Sequence, residues 1–252
     1  MRQHSFAPFQ WVKREIQLFS TLVRSVPTLV IVLFSCAVIL MNLLASFTIV
    51  SLPYFALTGG IFISWAAFLF MDIISKHFGP KAANRVSWIA LSANLVAVGI
   101  FFLISQIGTV PQLDMILHGQ WSILLASTVA FIVSALANNF LNHLIGKGFA
   151  RNPDGKVAYF CRSYVSTFVG QAIDNFVFGA LAFIVLPMIP DALQVTWTWG
   201  QVVGCAVTCA LAELAMEIIF SPIGYSVTKR WREKGVGQEY IDRYYPRVVE
   251  EN

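Results

Sequence analysis

Three polar side chains, Gln171, Asp174 and Asn175, lie within five residues of one another inside an apolar stretch of the sequence. An ionisable side chain at the centre of a bilayer costs about 2.5–3.5 kcal/mol on insertion scales, so such residues usually mark a binding site or an ion pathway. The Asp174 carboxylate accepts hydrogen bonds, and the two amides donate as well as accept them. We therefore expect this group to bind a small polar molecule. The alternative is a packing role, because hydrogen bonds between transmembrane helices use the same residue types.

Four amides and one indole from other apolar segments are candidates for the same site. Asn138 and Asn142 are four residues apart and so share one face of a helix, from which they could face the first group. Asn42 and Asn94 stand in two further apolar segments, where ligand binding and helix packing are equally expected. Trp65 belongs to an aromatic stripe that could stack on a planar ligand, although such stripes more often pack against lipid or the protein core.

Glu213 and Glu217 are also four residues apart on one predicted helix. Two ionised carboxylates this close would repel each other in a low dielectric, so we expect at least one to be protonated or paired with a base. Arg162, Lys76 and Arg85 are the bases that the sequence offers. The two glutamates are therefore candidates for ion coupling, with a structural salt bridge as the equally expected alternative.

The composition predicts the elements that position these residues. The chain is 57% hydrophobic and only 12% charged, whereas about a quarter of the residues in a soluble domain are charged. At roughly 20 apolar residues for each membrane span, the 252 residues leave room for about six spans. We therefore predict an all-α, polytopic membrane protein with six transmembrane helices, at about 27–50, 60–75, 86–107, 121–145, 163–186 and 200–220.

Prolines and glycines predict the interruptions between these helices. Pro53, Gly59 and Gly60 separate the first two helices, and we predict an ordinary short loop there, with a re-entrant element as the alternative. A polar turn is predicted at 76–85, and Pro222 and Gly224 are expected to end the last apolar run.

The basic residues predict the orientation in the membrane. All 17 Lys and Arg residues lie in the N-terminal segment, the second and fourth loops or the C-terminal tail, and such residues are retained on the cytoplasmic side. We therefore predict a multi-pass protein of the cytoplasmic (inner) membrane with both termini in the cytoplasm. Three regions follow: an interfacial or cytoplasmic amphipathic segment at 1–25, a transmembrane domain at 26–225 and a basic cytoplasmic tail at 226–252.

Motifs for catalysis and metal binding do not occur in the sequence. There is no phosphate-binding glycine loop, no Gly-x-Ser-x-Gly elbow and no paired-histidine motif. The four cysteines, Cys36, Cys161, Cys205 and Cys209, lack the spacings of a zinc site and are interpreted as small side chains within the membrane. We therefore expect no enzymatic activity, no cofactor and no metal. The expected partners are a small-molecule substrate and the lipid bilayer, with no nucleic acid, and a homo-oligomer remains open.

Several short segments carry a family resemblance. The most specific is Arg162-Ser163-x-x-Ser166-Thr167-x-x-x-Gln171-x-x-Asp174, followed by the segment from Asp72 to Gly79 with Lys81 and Arg85. Weaker matches are Asn42 to Ser46, Trp88 with Asn94, and Ser221-Pro222 with Tyr225. Together these segments resemble the queuosine precursor transporter family, also called the vitamin uptake transporter family, over roughly residues 35–225.

The resemblance implies a six-helix bacterial inner-membrane importer of 7-deazaguanine compounds, the precursors or salvage form of the tRNA nucleoside queuosine. The candidates for substrate binding that it carries over are Asn42, Asp72, Arg162, Gln171 and Asp174. An acidic side chain suits such a ligand, because a carboxylate can accept both of the adjacent N–H donors on a guanine-like edge.

Four positions depart from the family pattern in charge. The family usually has a basic residue in place of Phe47 and in place of Glu213. It usually has an acidic residue in place of Lys76 and in place of Asn138. Another vitamin or purine-like heterocycle is therefore the alternative substrate, and a substrate-binding subunit of a multi-subunit importer is the alternative mechanism. A membrane-embedded enzyme ranks below both.

Overall fold

A computed structural model of the chain describes residues 7–107, 119–148 and 165–244. Within these ranges the chain forms eight α-helices and one two-stranded antiparallel hairpin. In chain order they are α1 (Ala7–Ser25), α2 (Thr28–Ala45), β1 (Thr48–Leu52), β2 (Phe55–Thr58), α3 (Ile61–Phe78), α4 (Pro80–Ile107), α5 (Gln120–Gly148), α6 (Ser166–Ala180), α7 (Trp199–Glu233) and α8 (Gln238–Tyr244). α6 continues into a π-helical turn at Leu181–Val185 and a 3₁₀ turn at Leu186–Met188.

Most of these helices are long and apolar enough to cross a membrane. The five segments of this kind in the described residues are Thr28–Ala45, Ile61–Phe78, Pro80–Ile107, Phe168–Met188 and Trp199–Phe220. The start of α5, Gln120–Ser134, adds a shorter apolar helix. Large apolar side chains such as Leu29, Leu95 and Ile219 are exposed on the outside of the bundle, as contact with lipid requires. The prediction of a polytopic, all-α membrane protein is confirmed.

The segment around Pro53 is a β-hairpin, where the sequence predicted an ordinary loop. α2 ends at Ala45 rather than near residue 50, and β1 then pairs with β2 in antiparallel register. The three consecutive β-branched residues at the start of β1 favour a strand over a helix. Pro53 lies at the tip of the hairpin, where its fixed φ suits a turn.

The polar turn predicted at 76–85 is much shorter in the structure. α3 ends at Phe78, α4 begins at Pro80, and Gly79 alone connects them. Gly79 has a φ of 90°, which glycine adopts without steric penalty, and proline is favoured at the first position of a helix. The basic residues of this junction therefore lie on helices rather than in a loop.

The membrane-spanning part of α7 ends at Phe220, as predicted, but the helix itself continues through Pro222 to Glu233. Proline removes one backbone hydrogen bond, but packing against a neighbouring helix can hold the chain in helical form beyond it. Here α3 provides that packing, because the rings of His77 and Trp231 are 5.3 Å apart. The predicted tail at 226–252 accordingly contains the end of α7 and all of α8.

The first and last helices meet at one end of the bundle, which we call the collar: α1, α8 and the junction between α3 and α4. Arg85 on α4 forms an ion pair with Glu15 on α1 and donates a 3.4 Å hydrogen bond to the Tyr240 hydroxyl on α8. Tyr240 is fully buried, and its ring meets the ring of Phe78 at a centroid distance of 6.2 Å. α1 and α8 therefore lie at the same end of the bundle, and the placement of both termini in the cytoplasm stays a prediction.

α1 has the two-sided character that the sequence predicts. Leu18 and Leu22 are buried against the protein, whereas Ile16, Phe19 and Val23 are exposed on another face. An exposed apolar stripe on a helix with basic residues suits the boundary between lipid and water. The location of α1 at the membrane surface stays a prediction.

The hairpin and the start of α7 meet at the opposite end of the bundle. Gln201 on α7 donates a 2.8 Å hydrogen bond to the Leu52 carbonyl oxygen. Gly204 lies so close to the hairpin that an added Cβ would overlap the Tyr54 carbonyl oxygen. The hairpin therefore packs on a stretch of α7 that tolerates no side chain at this position.

Replacing Gly204 with alanine is expected to lower the free energy of unfolding by about 1–3 kcal/mol, because the hairpin must move to admit the new methyl group. Thermal unfolding of the purified protein in detergent measures the effect. Gly99→Ala is the matched control, since no described atom lies within 4 Å of an added Cβ there. Equal stabilities of the two variants would contradict the close packing of the hairpin on α7.

Candidate functional site

Asp174 is held by a neutral hydroxyl from the neighbouring helix. It lies on α6, and the Ser134 hydroxyl on α5 donates a 2.8 Å hydrogen bond to Asp174 Oδ1. Such a bond partly replaces the hydration that a carboxyl group loses between helices, without adding a charge. One oxygen of the carboxyl group is thereby oriented toward α5.

Glu213 on α7 is the second carboxyl group at the site, and only 5% of its surface is exposed. Asn175 Nδ2 donates to Glu213 Oε2 at 3.1 Å and to the Gln171 backbone oxygen at 2.9 Å. The Ser64 hydroxyl on α3 lies within hydrogen-bonding reach of the Glu213 carboxyl group as well. Glu213 thus joins α3 and α6 to α7.

These residues form one group, which we call the polar cluster: Ser64, Ser134, Asp174, Asn175 and Glu213. It draws on four helices, α3, α5, α6 and α7, and the two carboxyl groups are close enough for their charges to interact. In the described part of the chain, no Lys or Arg side chain forms an ion pair with either carboxyl group. The two carboxyl groups therefore have neutral hydrogen-bond donors beside them but no described positive charge.

Two of the bases that the sequence offered to the glutamates are paired elsewhere. Lys76 Nζ lies 2.7 Å from Asp72 Oδ2 within α3, and Arg85 is paired with Glu15 in the collar. Neither base forms an ion pair with Glu213 among the described residues, and the pairing of the two glutamates with a base, or the protonation of one of them, stays a prediction. Both bases lie near the end of the bundle where α3 joins α4. Asp72, a predicted substrate contact, lies in this Lys76 pair rather than in the polar cluster.

Three predicted amides are buried and keep an unpaired polar atom. Gln171, Asn42 and Asn94 are 6%, 3% and 1% exposed. Among the described residues, Gln171 Oε1, Asn42 Nδ2 and Asn94 Nδ2 have no hydrogen-bond partner. A buried polar atom without a partner costs about 1–3 kcal/mol, so a ligand or water that supplies the missing bond would be stabilised there. Asn42 lies about 21 Å along α2 from the start of that helix, and Asn94 lies about 21 Å along α4 from the start of that helix.

Trp65 uses one of its faces within the protein. Its ring stacks on the ring of Phe220 from α7, with centroids 4.4 Å apart and an interplanar angle of 14°. The indole N–H donates to the Phe62 backbone oxygen at 2.8 Å. Among the described residues no ring contact covers the other face of Trp65, and stacking of a planar ligand on that face stays a prediction.

Four predicted site residues fall outside what the structure describes. Asn138 and Asn142 belong to the helical backbone of α5, but their side chains lie outside the described residues. The same holds for the Glu217 side chain on α7 and for the whole of Arg162. Their roles stay predictions.

Ser64 is the cluster residue that sequence reasoning missed. A serine in an apolar helix carries a weak signal, because its hydroxyl can bond to the backbone of its own helix, as the 3.3 Å contact with the Ile61 oxygen illustrates. Only the packing of α3 beside α7 brings this hydroxyl to Glu213. The nearest residue that the sequence had identified as a candidate for the site was the adjacent Trp65.

The fold and the polar cluster define the class of this protein. Membrane-spanning helices enclose two carboxyl groups and their neutral donors, and ionisable groups are maintained inside a membrane bundle mainly for function. The described residues contain no group of three or more His, Cys, Asp or Glu side chains suited to a metal ion. The class is thus a polytopic membrane protein with an enclosed polar site.

Comparison with known proteins identifies the family. The family model described as "putative vitamin uptake transporter" matches residues 58–227, more than half of the chain. The matched range includes all five residues of the polar cluster. The chain therefore belongs to the vitamin uptake transporter family. No curated protein and no solved structure matches it.

Ser134→Ala is expected to lower the free energy of unfolding by about 1.5–3 kcal/mol, because the Asp174 carboxyl group loses its described donor. Ser92→Ala is the control, since the Ser92 hydroxyl bonds only to the Trp88 backbone oxygen of its own helix at an exposed position, and we expect a change within about 0.5 kcal/mol. Thermal unfolding in detergent distinguishes the two. If Ser134→Ala is as stable as Ser92→Ala, the hydrogen bond to Asp174 does not hold α5 and α6 together.

Proposed function

We propose that the chain imports a planar, hydrogen-bonding heterocycle of the 7-deazaguanine type across the cytoplasmic membrane, with the polar cluster as its binding site. The observation that carries this proposal is a pair of carboxyl groups, the half-buried Asp174 and the buried Glu213, which lie close together without a described basic partner. A heterocycle with adjacent N–H donors supplies what such a pair lacks, since a carboxylate accepts two of them side by side.

The neutral members of the cluster limit the shape of the ligand. Ser134 already occupies one oxygen of Asp174, and Asn175 occupies one oxygen of Glu213. Because each carboxylate oxygen has two lone pairs, both oxygens of either group can still accept from a ligand, but only from the side that Ser134 or Asn175 leaves open. The free face of Trp65 favours a flat molecule, because stacking of a base on an aromatic side chain is worth about 1–3 kcal/mol.

The hairpin lies on the side of the polar cluster where α7 begins. Ser64 stands in the first turn of α3, yet it reaches Glu213, which lies about 21 Å along α7 from Trp199. α3 therefore begins deep in the bundle, and the hairpin fills the space above it, against Gly204 of α7. This arrangement supports a carrier that is closed on the hairpin side in the described conformation.

Glu213 is the specific observation that favours a second candidate, a heterocycle that also carries a positive charge. The family resemblance predicts a basic residue at this position, whereas the structure brings a carboxyl group into the cluster beside Asn175. A second acid favours a ligand with a protonated amine or an additional N–H donor. Another vitamin or purine-like compound of this kind is therefore the alternative substrate.

Asp174→Asn is expected to reduce uptake at least about tenfold, because it removes a charged acceptor worth about 1.5–3 kcal/mol while preserving size and the bond from Ser134. Uptake of queuine or its precursors by bacterial cells that depend on this chain for import measures the effect. Asp191→Asn is the matched control, since Asp191 lies outside the cluster at a positive φ that asparagine also adopts. Normal uptake by Asp174→Asn would remove Asp174 from the site.

Glu213→Gln is expected to make uptake insensitive to a protonophore if Glu213 carries the coupled proton, because the amide cannot exchange one and still accepts from Asn175. The control is Glu233→Gln, since Glu233 lies at the exposed end of α7, 3.9 Å from Lys229. If a protonophore does not change uptake by the wild type, proton coupling is ruled out.

Purified protein in proteoliposomes separates a complete carrier from a substrate-binding subunit. A complete carrier moves substrate without any partner protein, whereas a binding subunit only retains it. A thermal-shift screen with deazaguanines, purines and vitamins identifies the ligand class independently, because a ligand that binds the folded state raises the apparent stability.

A further inference from the structure

Two thiol groups lie together on α7, outside the polar cluster. Cys205 and Cys209 are one helical turn apart, and their Sγ atoms are 3.6 Å from each other. Both are free cysteines, Cys209 being buried and Cys205 half-buried. The proposed transport function uses neither of them.

The helix geometry disfavours a disulfide between these thiols. Residues four apart in an α-helix have Cβ atoms about 5–6 Å apart, whereas a disulfide requires about 3.5–4.5 Å. α7 would have to distort to close the bond. A metal ion has no such requirement, since two metal–sulfur bonds of about 2.3 Å at a tetrahedral angle separate the sulfurs by about 3.8 Å. The sulfurs are already close to that spacing.

Charge balance selects a divalent ion. When a divalent cation replaces the two thiol protons, two S–H bonds break, two metal–sulfur bonds form and two protons leave to water, so the net charge of this buried region does not change. A monovalent cation bound by both groups as thiolates would leave one uncompensated negative charge inside the bundle, which is costly. Thiolates are soft ligands, so the favoured ions are zinc and cadmium rather than magnesium or calcium.

The remaining coordination positions are open. No third His, Cys, Asp or Glu side chain joins the pair to form a complete metal site among the described residues. Glu213 follows Cys209 by one further turn of the same helix, on the same face. Two protein ligands leave positions for water or another small ligand, as in sites that exchange their metal.

We propose that Cys205 and Cys209 form a binding site for a thiophilic divalent cation on α7, between the hairpin contact at Gly204 and the polar cluster. The sequence interpretation of these cysteines as inert small side chains does not anticipate this site, because a spacing of four residues is not that of a zinc motif. Their shared helical face and the distance between the two sulfurs support it.

Titration of the purified full chain with Cd²⁺ tests the site, because cadmium–thiolate bonds give a charge-transfer absorption in the ultraviolet. We expect a saturable signal at one Cd²⁺ per chain, reversed by Zn²⁺ and unaffected by Mg²⁺. Cys205→Ser and Cys209→Ser should each abolish it. Cys36→Ser is the matched control and should retain it, since Cys36 is an exposed free cysteine on α2, and Cys161→Ser should also retain it.

The wild type alone can overturn the proposal. It does so if the protein unfolds cooperatively on heating, and is therefore folded, but gives no saturable Cd²⁺ signal. The proposal is also overturned if the signal survives in Cys209→Ser or disappears in Cys36→Ser or Cys161→Ser. Thermal unfolding of each variant verifies that it is folded, and Cys205→Ala provides a second substitution at the more exposed thiol. None of these readouts depends on transport.

Discussion

The burial of two carboxyl groups between membrane-spanning helices is the constraint on which the rest of the structure depends. No basic side chain in the described ranges forms an ion pair with Asp174 or Glu213. A carboxyl group removed from water without hydrogen bonds is too costly to maintain. The neutral donors Ser134 and Asn175 meet much of this need, and Ser64 lies near Glu213 on a third helix. The mutual positions of α3, α5, α6 and α7 are therefore tied to the hydrogen bonds of two side chains.

The depth at which α3 begins in the bundle also constrains the segment that precedes it. Because the first turn of α3 lies near Glu213, the segment before it lies beside the first turns of α7, where unpaired backbone groups are costly, with β1 mostly exposed and β2 partly buried. A hairpin satisfies many of these groups by pairing its own strands, and Gln201 bonds the Leu52 carbonyl oxygen. Gly60 lets the hairpin return against α2, since an added Cβ would lie 2.9 Å from the Met41 carbonyl oxygen. The pairing of the two strands and the glycine at position 60 are thus consistent with an α3 that begins beside Glu213.

The sequence was sufficient for features that depend on residue type alone. Apolar stretches predict the membrane helices, and Asp174 with Asn175 is visible as polarity in an apolar segment. The hairpin was not predictable by the same means, because its strands are as apolar as the helices around them. The helix beyond Pro222 depends on the contact between Trp231 and His77, and the meeting of Ser64 with Glu213 depends on how α3 packs on α7. Such contacts join distant residues and leave no local pattern.

The two ends of the bundle are held by different kinds of contact. In the collar, Lys81 and Arg85 lie 5.5 Å and 5.7 Å from the centre of the Tyr244 ring, and Arg85 also has its ion pair. Electrostatic attraction of this kind weakens gradually with distance. The hairpin is held largely by close packing on glycine, and dispersion contacts are lost within a small displacement. α6 also becomes π-helical at Leu181–Val185, between Asp174 and the hairpin end, and such turns often accompany functional sites. The contacts at the hairpin end are therefore more sensitive to a small displacement than those of the collar, although Gln201 and Thr198 also donate hydrogen bonds to the hairpin.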